Sequence, residues 1–238
     1  MSTNREIQKF VQDTLHSLLD SINKGFQDNE LAYLSSQGKN ELQIRDKIAW
    51  LLHNKVTKKY GNQYVVCREW SPKGFGRAKV DLAILELDAT RTYVISVIAL
   101  IEFKAQSVVK KEKWYLTEFE HDLKKMKDII TNPQYTICKD ADMYFVFLET
   151  GQEEKVEQFR PIIAYSQYLT QNVKYYKDTK DYISALGAYW KDFNSRLINP
   201  QAIQEPKVID IGEAYGYRQY LSPLIIGPLK TTDIKSQQ

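Results

Sequence analysis

Val80–Lys104, VDLAILELDATRTYVISVIALIEFK, holds two apolar runs separated by a turn-like break at Asp88–Arg91. The first, VDLAILEL, is apolar except for Asp81 near its start and the acids at its far end. The second, TYVISVIALIEFK, is rich in β-branched residues and finishes on Glu102-Phe103-Lys104. Runs of this length and composition predict neighbouring strands buried on both faces of a sheet. An ionised group buried without a partner costs several kcal/mol, so charges at the ends of such strands need a reason. Side chains alternate along a strand, which puts Glu102 and Lys104 on one face. Pairing of the two strands brings Asp81 within reach of that face. Two carboxylates and an ammonium at one sheet end are a site for a hard cation beside a nucleophilic water.

Outward from this stretch, Gln63–Trp70 reads as a strand and Ser71–Gly76 (SPKGFG) as a turn. Upstream, Ile7, Phe10, Val11, Leu15, Leu18, Leu19 and Ile22 form a helical stripe over residues 4–24, stopped by Gly25. A second helix starts at Asn40, a capping residue with Gln43 three positions on, and carries Ile44, Ile48, Leu51 and Leu52 inward. Glu41 lies on that inner stripe. Downstream, Glu112–Ile130 is a helix with Leu116, Phe119, Leu123, Met126 and Ile130 on one face, ended by Asn132-Pro133. Asp142–Glu149 is a strand. The order αα-βββ-αβ predicts a mixed sheet flanked by helices. After Gly151 the pattern gives a helix at Asp181–Leu197, then closing strands at Lys207–Ile211 and Gln219–Ile226. The chain reads as one domain, 1–238. Its core spans 35–150, and residues 151–238 form an elaboration that is mainly helical with a late β-hairpin.

Composition narrows the function classes. The 238 residues include no apolar run near the roughly 18–20 needed to span a bilayer. MSTNREIQKF lacks the apolar core of a secretory signal. Two distant cysteines, Cys67 and Cys138, and three scattered histidines argue against a zinc site and fit a reducing cytoplasm. The net charge is +3, but residues 53–80 carry Lys55, Lys58, Lys59, Arg68, Lys73, Arg77 and Lys79 against Glu69 alone. A local basic block in a near-neutral chain is the footprint of a polyanion-binding face; a solvated loop and helix end is the plainer account.

E-x-K occurs three times, at Glu102–Lys104, Glu153–Lys155 and Glu205–Lys207. Only the first closes a long apolar strand that follows a strand with an isolated aspartate. Asp81, twenty intervening residues, Glu102-Phe103-Lys104 and the helical Glu41 together resemble the PD-(D/E)XK nuclease superfamily over residues 35–150. Val80 stands where the nominal motif has proline. The resemblance implies a restriction-endonuclease-like α-β-β-β-α-β core and hydrolysis of DNA phosphodiester bonds in the manner of restriction, defence or repair endonucleases. It implies that Asp81, Glu102 and the Phe103 carbonyl hold Mg²⁺, for which Mn²⁺ substitutes, with Glu41 completing the site or serving a second ion. Lys104 would orient and help deprotonate the attacking water, or stabilise the charged phosphorane.

Gln106 shares the Glu102–Lys104 face and is a candidate for the scissile phosphate. Lys58, Lys59, Lys73, Arg77 and Lys79 are candidates for the DNA backbone. Lys110, Lys111 and Lys113 precede a helix N-terminus but read as a solvated run. Many of the sixteen tyrosines fall after residue 160, where helical spacing points to core or to a homodimer interface. His16, His53 and His121 have no triad-like setting. The plain alternatives are an Asp81–Lys104 ion pair with Glu102 as bystander, and a Glu41 carboxylate paired with Arg45 one turn on. The rival function is a catalytically inactive nuclease-fold module that binds nucleic acid or protein.

Overall fold

The computed structural model describes residues 2–36, 40–107, 112–153, 175–176, 180, 183–184, 187–188, 191 and 207–230. The first apolar stripe forms helix α1 (Ser2–Asp20), with Ile7, Val11, Leu15, Leu18 and Leu19 buried. The helix predicted to reach residue 24 stops at Asp20. The Ser21 hydroxyl donates to the Ser17 carbonyl at 2.8 Å, and the chain tightens into a 3-10 turn at Ile22–Gly25. A short helix that the sequence reading passed over, α2 (Glu30–Ser36), precedes α3 (Asn40–Tyr60). Asn40 does begin α3, but its side chain is buried and donates to Ser35 Oγ at 3.1 Å, which ties the two helices together. Ile44, Ile48, Leu52 and Val56 form the inner stripe of α3.

The strands β1 (Tyr64–Trp70), β2 (Val80–Leu87) and β3 (Val94–Ser107) make an antiparallel meander. Helix α4 (Glu112–Thr131) then crosses over, and β4 (Asp142–Glu153) returns parallel to β3, with Glu102 opposite Phe145 and Lys104 opposite Phe147. A parallel neighbour needs such a crossover, which is why the helix between the third and fourth strands was legible as a topological statement. The two-residue β5 (Tyr175–Tyr176) runs parallel to the end of β4. The closing hairpin is β6 (Ile209–Ala214) and β7 (Tyr217–Leu229), and β7 pairs antiparallel with β4. The sheet order is β1-β2-β3-β4-β7-β6, a mixed sheet as expected.

The hairpin is longer than predicted. Tyr215 and Gly216, both with positive φ, supply a two-residue turn that matches strand twist, and Gly212 sits inside β6 at a shift of register. Of the helix predicted at Asp181–Leu197, the described residues 183–184, 187–188 and 191 are helical, as is 180; the rest lies outside the described residues.

The sheet separates two apolar layers. On one side α1, α2 and α3 pack on Leu82, Ile84, Ile101, Phe103, Tyr144, Val146 and Leu148. On the other, Phe119, Leu123, Met126 and Ile129 of α4 pack on Ala83, Leu85, Leu100, Phe145 and Phe147. The central strands β2, β3 and β4 are therefore buried on both faces, as their unbroken apolar runs require. Each large side chain removed from water there contributes roughly 1.5–3 kcal/mol. No helix among the described residues is long and apolar enough to cross a membrane.

Candidate functional site

The β2–β3 ladder ends where Leu82 faces Ile101. Beyond that point the β3 edge still presents backbone donors, and buried donors must be satisfied. Two carboxylates do this in succession. Asp81 Oδ2 accepts the Phe103 N–H at 2.8 Å, and Glu41 Oε2, from the first turn of α3, accepts the Ala105 N–H at 2.7 Å. Because the N–H and C=O of a strand residue point the same way, the Phe103 carbonyl faces this edge too. Asp81, Glu41 and the Phe103 carbonyl, inferred from the sequence as one site, thus meet at the edge of β3.

Glu102 and Lys104 alternate to the opposite face, towards α4, as the strand period demands. There the structure adds residues that the sequence reading missed. Lys125 Nζ lies 2.5 Å from Glu102 Oε1 and 2.9 Å from Asp122 Oδ1. Asp122 Oδ2 lies 2.8 Å from Lys104 Nζ, which also sits 3.8 Å from Glu118 Oε2. The result is a chain of alternating charge, Glu102–Lys125–Asp122–Lys104–Glu118, in which Glu102 and Asp122 are each only 3% exposed.

On the other side, the buried Arg45 of α3 places its guanidinium 3.1 Å from Asp46, 3.2 Å from Asp81 and 3.6 Å from Glu69. Both plain alternatives need correcting. Asp81 pairs with Arg45 and not with Lys104, because Lys104 points at α4. Arg45 turns to Asp81 and away from Glu41, whose carboxylate is taken by the β3 backbone.

The electrostatics follow from this crowding. Burial pushes the Glu102 carboxyl up to about 9, the Asp81 charge pushes in the same direction, and Lys125 pulls back. Glu41 is raised by burial and by Asp81, against the Ala105 N–H, Lys104 and Arg45. Burial also acts on Asp122, but its two ammonium partners outweigh it and hold the carboxyl below the ordinary range. Lys104 and Lys125 are raised, since their carboxylate partners overcome desolvation.

The basic block divides. Lys73, Arg77 and Lys79 lie exposed in the β1–β2 connection that delivers Asp81, and Lys79 Nζ is 3.4 Å from Glu69. Lys58 and Lys59 occupy the last turn of α3, roughly 25 Å along the helix from Glu41. Lys59 Nζ sits 4.3 Å from the centroid of the Phe10 ring. Gln106 lies in β3 opposite Glu149, and its side chain falls outside the described residues, as do Lys110 and Lys111. His53 Nδ1 accepts the Val66 N–H, a structural role.

Arg45, Asp122 and Lys125 each had a faint sequence signal. Asp122 falls three residues after Phe119 and four before Met126, a charge on the apolar stripe of α4, and Lys125 follows at i+3. Arg45 directly follows Ile44 on the inner side of α3.

Among the described residues, no three His, Cys, Asp or Glu side chains come together in ion-holding geometry. The donors nonetheless suit a hard cation. Mg²⁺ takes oxygen ligands and is commonly held by one or two carboxylates with water completing the shell. Asp81, Glu102 and the Phe103 carbonyl are of that kind, and a divalent charge would offset the burial and the Asp81 repulsion that raise Glu102 and Glu41. Compared with models of protein families, with curated proteins and with solved structures, the chain gives no match.

Proposed function

We propose that this chain is a divalent-metal-dependent nuclease acting on DNA, with a restriction-endonuclease-like core of the PD-(D/E)XK type. The observation that supports it best is the meeting of Asp81, Glu41 and the Phe103 backbone at the edge of β3, next to the α4-facing side that carries Glu102 and Lys104. Asp81 accepts the Phe103 N–H, burial and then the Asp81 charge raise both Glu102 and Glu41, and Lys104 shares the Glu102 face. In this reading Asp81, Glu102 and the Phe103 carbonyl hold Mg²⁺ or Mn²⁺, and Glu41 adds charge at the same edge. The bound ion supplies Lewis-acid polarisation of a phosphoryl oxygen and a more acidic water. Lys104, held by Asp122, presents an ammonium to the attacking water and the phosphorane charge. Lys73, Arg77 and Lys79, on the connection leading to Asp81, hold the backbone of the nucleic acid. DNA is the proposed partner.

A second reading has its own observation. Every acid of the site already has a protein partner: Arg45 and an amide for Asp81, Lys125 for Glu102, an amide for Glu41. Such a cluster serves equally well as the structural joint of a non-catalytic module that binds nucleic acid or protein. Incubating the chain with duplex, single-stranded, forked and RNA substrates in Mg²⁺, Mn²⁺ and EDTA separates the two. Metal-dependent cutting that Asp81→Asn abolishes supports the nuclease. Binding without cutting on every substrate, with no thermal response to either metal, supports the module.

A further inference from the structure

We propose that Lys125 is a second ammonium of the site, seated on the Glu102 carboxylate in direct competition with the divalent cation, and that it sets the affinity of the centre for that cation. The inference rests on the nuclease reading above and goes beyond the motif residues. Lys104, the lysine of the E-x-K motif, forms its close ion pairs with Asp122 and Glu118, not with Glu102. The ammonium 2.5 Å from Glu102 Oε1 comes from α4, and its side chain is only 13% exposed. A cation ligated by that oxygen and an ammonium seated on it exclude one another by charge and by space.

The geometry also gives Lys125 somewhere to go. Its Nζ is already 2.9 Å from Asp122 Oδ1, one helical turn away at i−3, so it keeps a counter-charge when it yields Glu102. Asp122 spends its other oxygen on Lys104, so the same carboxylate parks both lysines. The charge arithmetic has a definite sign. Removing one positive charge beside Glu102 favours any cation there, and a divalent ion gains twice what a proton gains at equal distance. Loss of Lys125 therefore tightens metal binding even where a proton competes for the carboxylate.

The test is equilibrium binding of Mn²⁺ to the full chain without nucleic acid, by calorimetry and by the electron paramagnetic resonance signal of the free ion. Lys125→Met keeps the length of the stem and should bind Mn²⁺ roughly tenfold tighter than wild type. Lys125→Arg, which keeps the charge, should stay within about twofold of wild type. Equal affinity of wild type and Lys125→Met overturns the inference and leaves the nuclease reading standing. Absence of Mn²⁺ binding to all three proteins overturns the nuclease reading and the inference with it. A readout on unaltered protein guards against a variant that fails to fold. Reductive methylation of Lys125, read by mass spectrometry, should rise severalfold when Mg²⁺ is added. Unchanged labelling under saturating Mg²⁺ also overturns the inference.

Discussion

Asp81 and Phe103 are joined by a side-chain-to-backbone hydrogen bond of 2.8 Å at the point where β2 leaves β3. One carboxylate thereby finishes a sheet edge and stands beside the Phe103 carbonyl, while its other oxygen faces Arg45 at 3.2 Å. The structural and the proposed chemical roles of Asp81 are separable by substitution. Asparagine retains an oxygen for the amide and loses the charge. Asp81→Asn keeps the amide contact but turns its own NH₂ towards Arg45, so it should still fold and lose less stability than Asp81→Leu. It should lose metal-dependent cleavage and the thermal response to Mg²⁺. Asp81→Leu, which strands the amide and Arg45 together, should be destabilised by a few kcal/mol in urea titrations.

Glu102 makes stability depend on pH in a stated direction. Its carboxyl ionises near 4.5 when unperturbed and is pushed up to about 9 in the folded chain. Between these values the folded chain holds the extra proton, so stability falls as pH rises through the window. Glu41, also raised, adds to the same slope. In EDTA, Glu102→Gln should gain melting temperature over wild type as pH goes from 5 to 9, with little difference at pH 4. Parallel melting curves across that range would refute the assignment.

Asp122 joins two lysines to one buried carboxylate, at 2.8 Å and 2.9 Å. Removing one partner of a buried pair costs about 3–5 kcal/mol because the other charge is left uncompensated. Asp122→Ala should fall in or above that range by urea denaturation, since two ammonium groups lose their shared partner. Lys104→Ala should cost less, because Asp122 keeps Lys125. It should nevertheless abolish cleavage while Mn²⁺ still binds, and cleavage at wild-type rates would remove Lys104 from the mechanism.

The divided basic block gives a contrast within one protein. Neutralising Lys73, Arg77 and Lys79 should weaken DNA binding about equally across sequences. Each lost phosphate contact should flatten the plot of log K against log[salt] by about 0.9. Neutralising Lys58 and Lys59, at the far end of α3, should leave that slope unchanged. Fluorescence anisotropy over a salt series reads both. The reverse pattern would place the nucleic acid on the α3 C-terminus.

What was legible in the sequence follows from periodicity. Val80–Leu87 and the following run had to be strands because their apolar residues are consecutive and bounded by turn residues. The α4 stripe marked a crossover. Alternation alone put Glu102 and Lys104 on one face. Partner choice was not legible, because it depends on which helix covers that face and in what rotation. Asp122 and Lys125 reach Glu102 and Lys104 only once α4 lies over β3. In the same way, α3 had to be docked before Arg45, and not Lys104, could claim Asp81. The helix α2 was missed because seven residues hold too few turns to display a period.

The pairing of β7 with β4 has a consequence in time. In a chain made from its N-terminus, β4 is complete at Glu153, while its antiparallel neighbour begins only at Tyr217. At about 5–20 residues per second on the ribosome, the far edge of β4 waits roughly 3–13 seconds for its partner. An open edge on an apolar strand is a template for pairing with another chain, and Phe145 and Phe147 lie on that strand. Nascent chains halted in that interval are thus the species of this protein on which a holding chaperone would act.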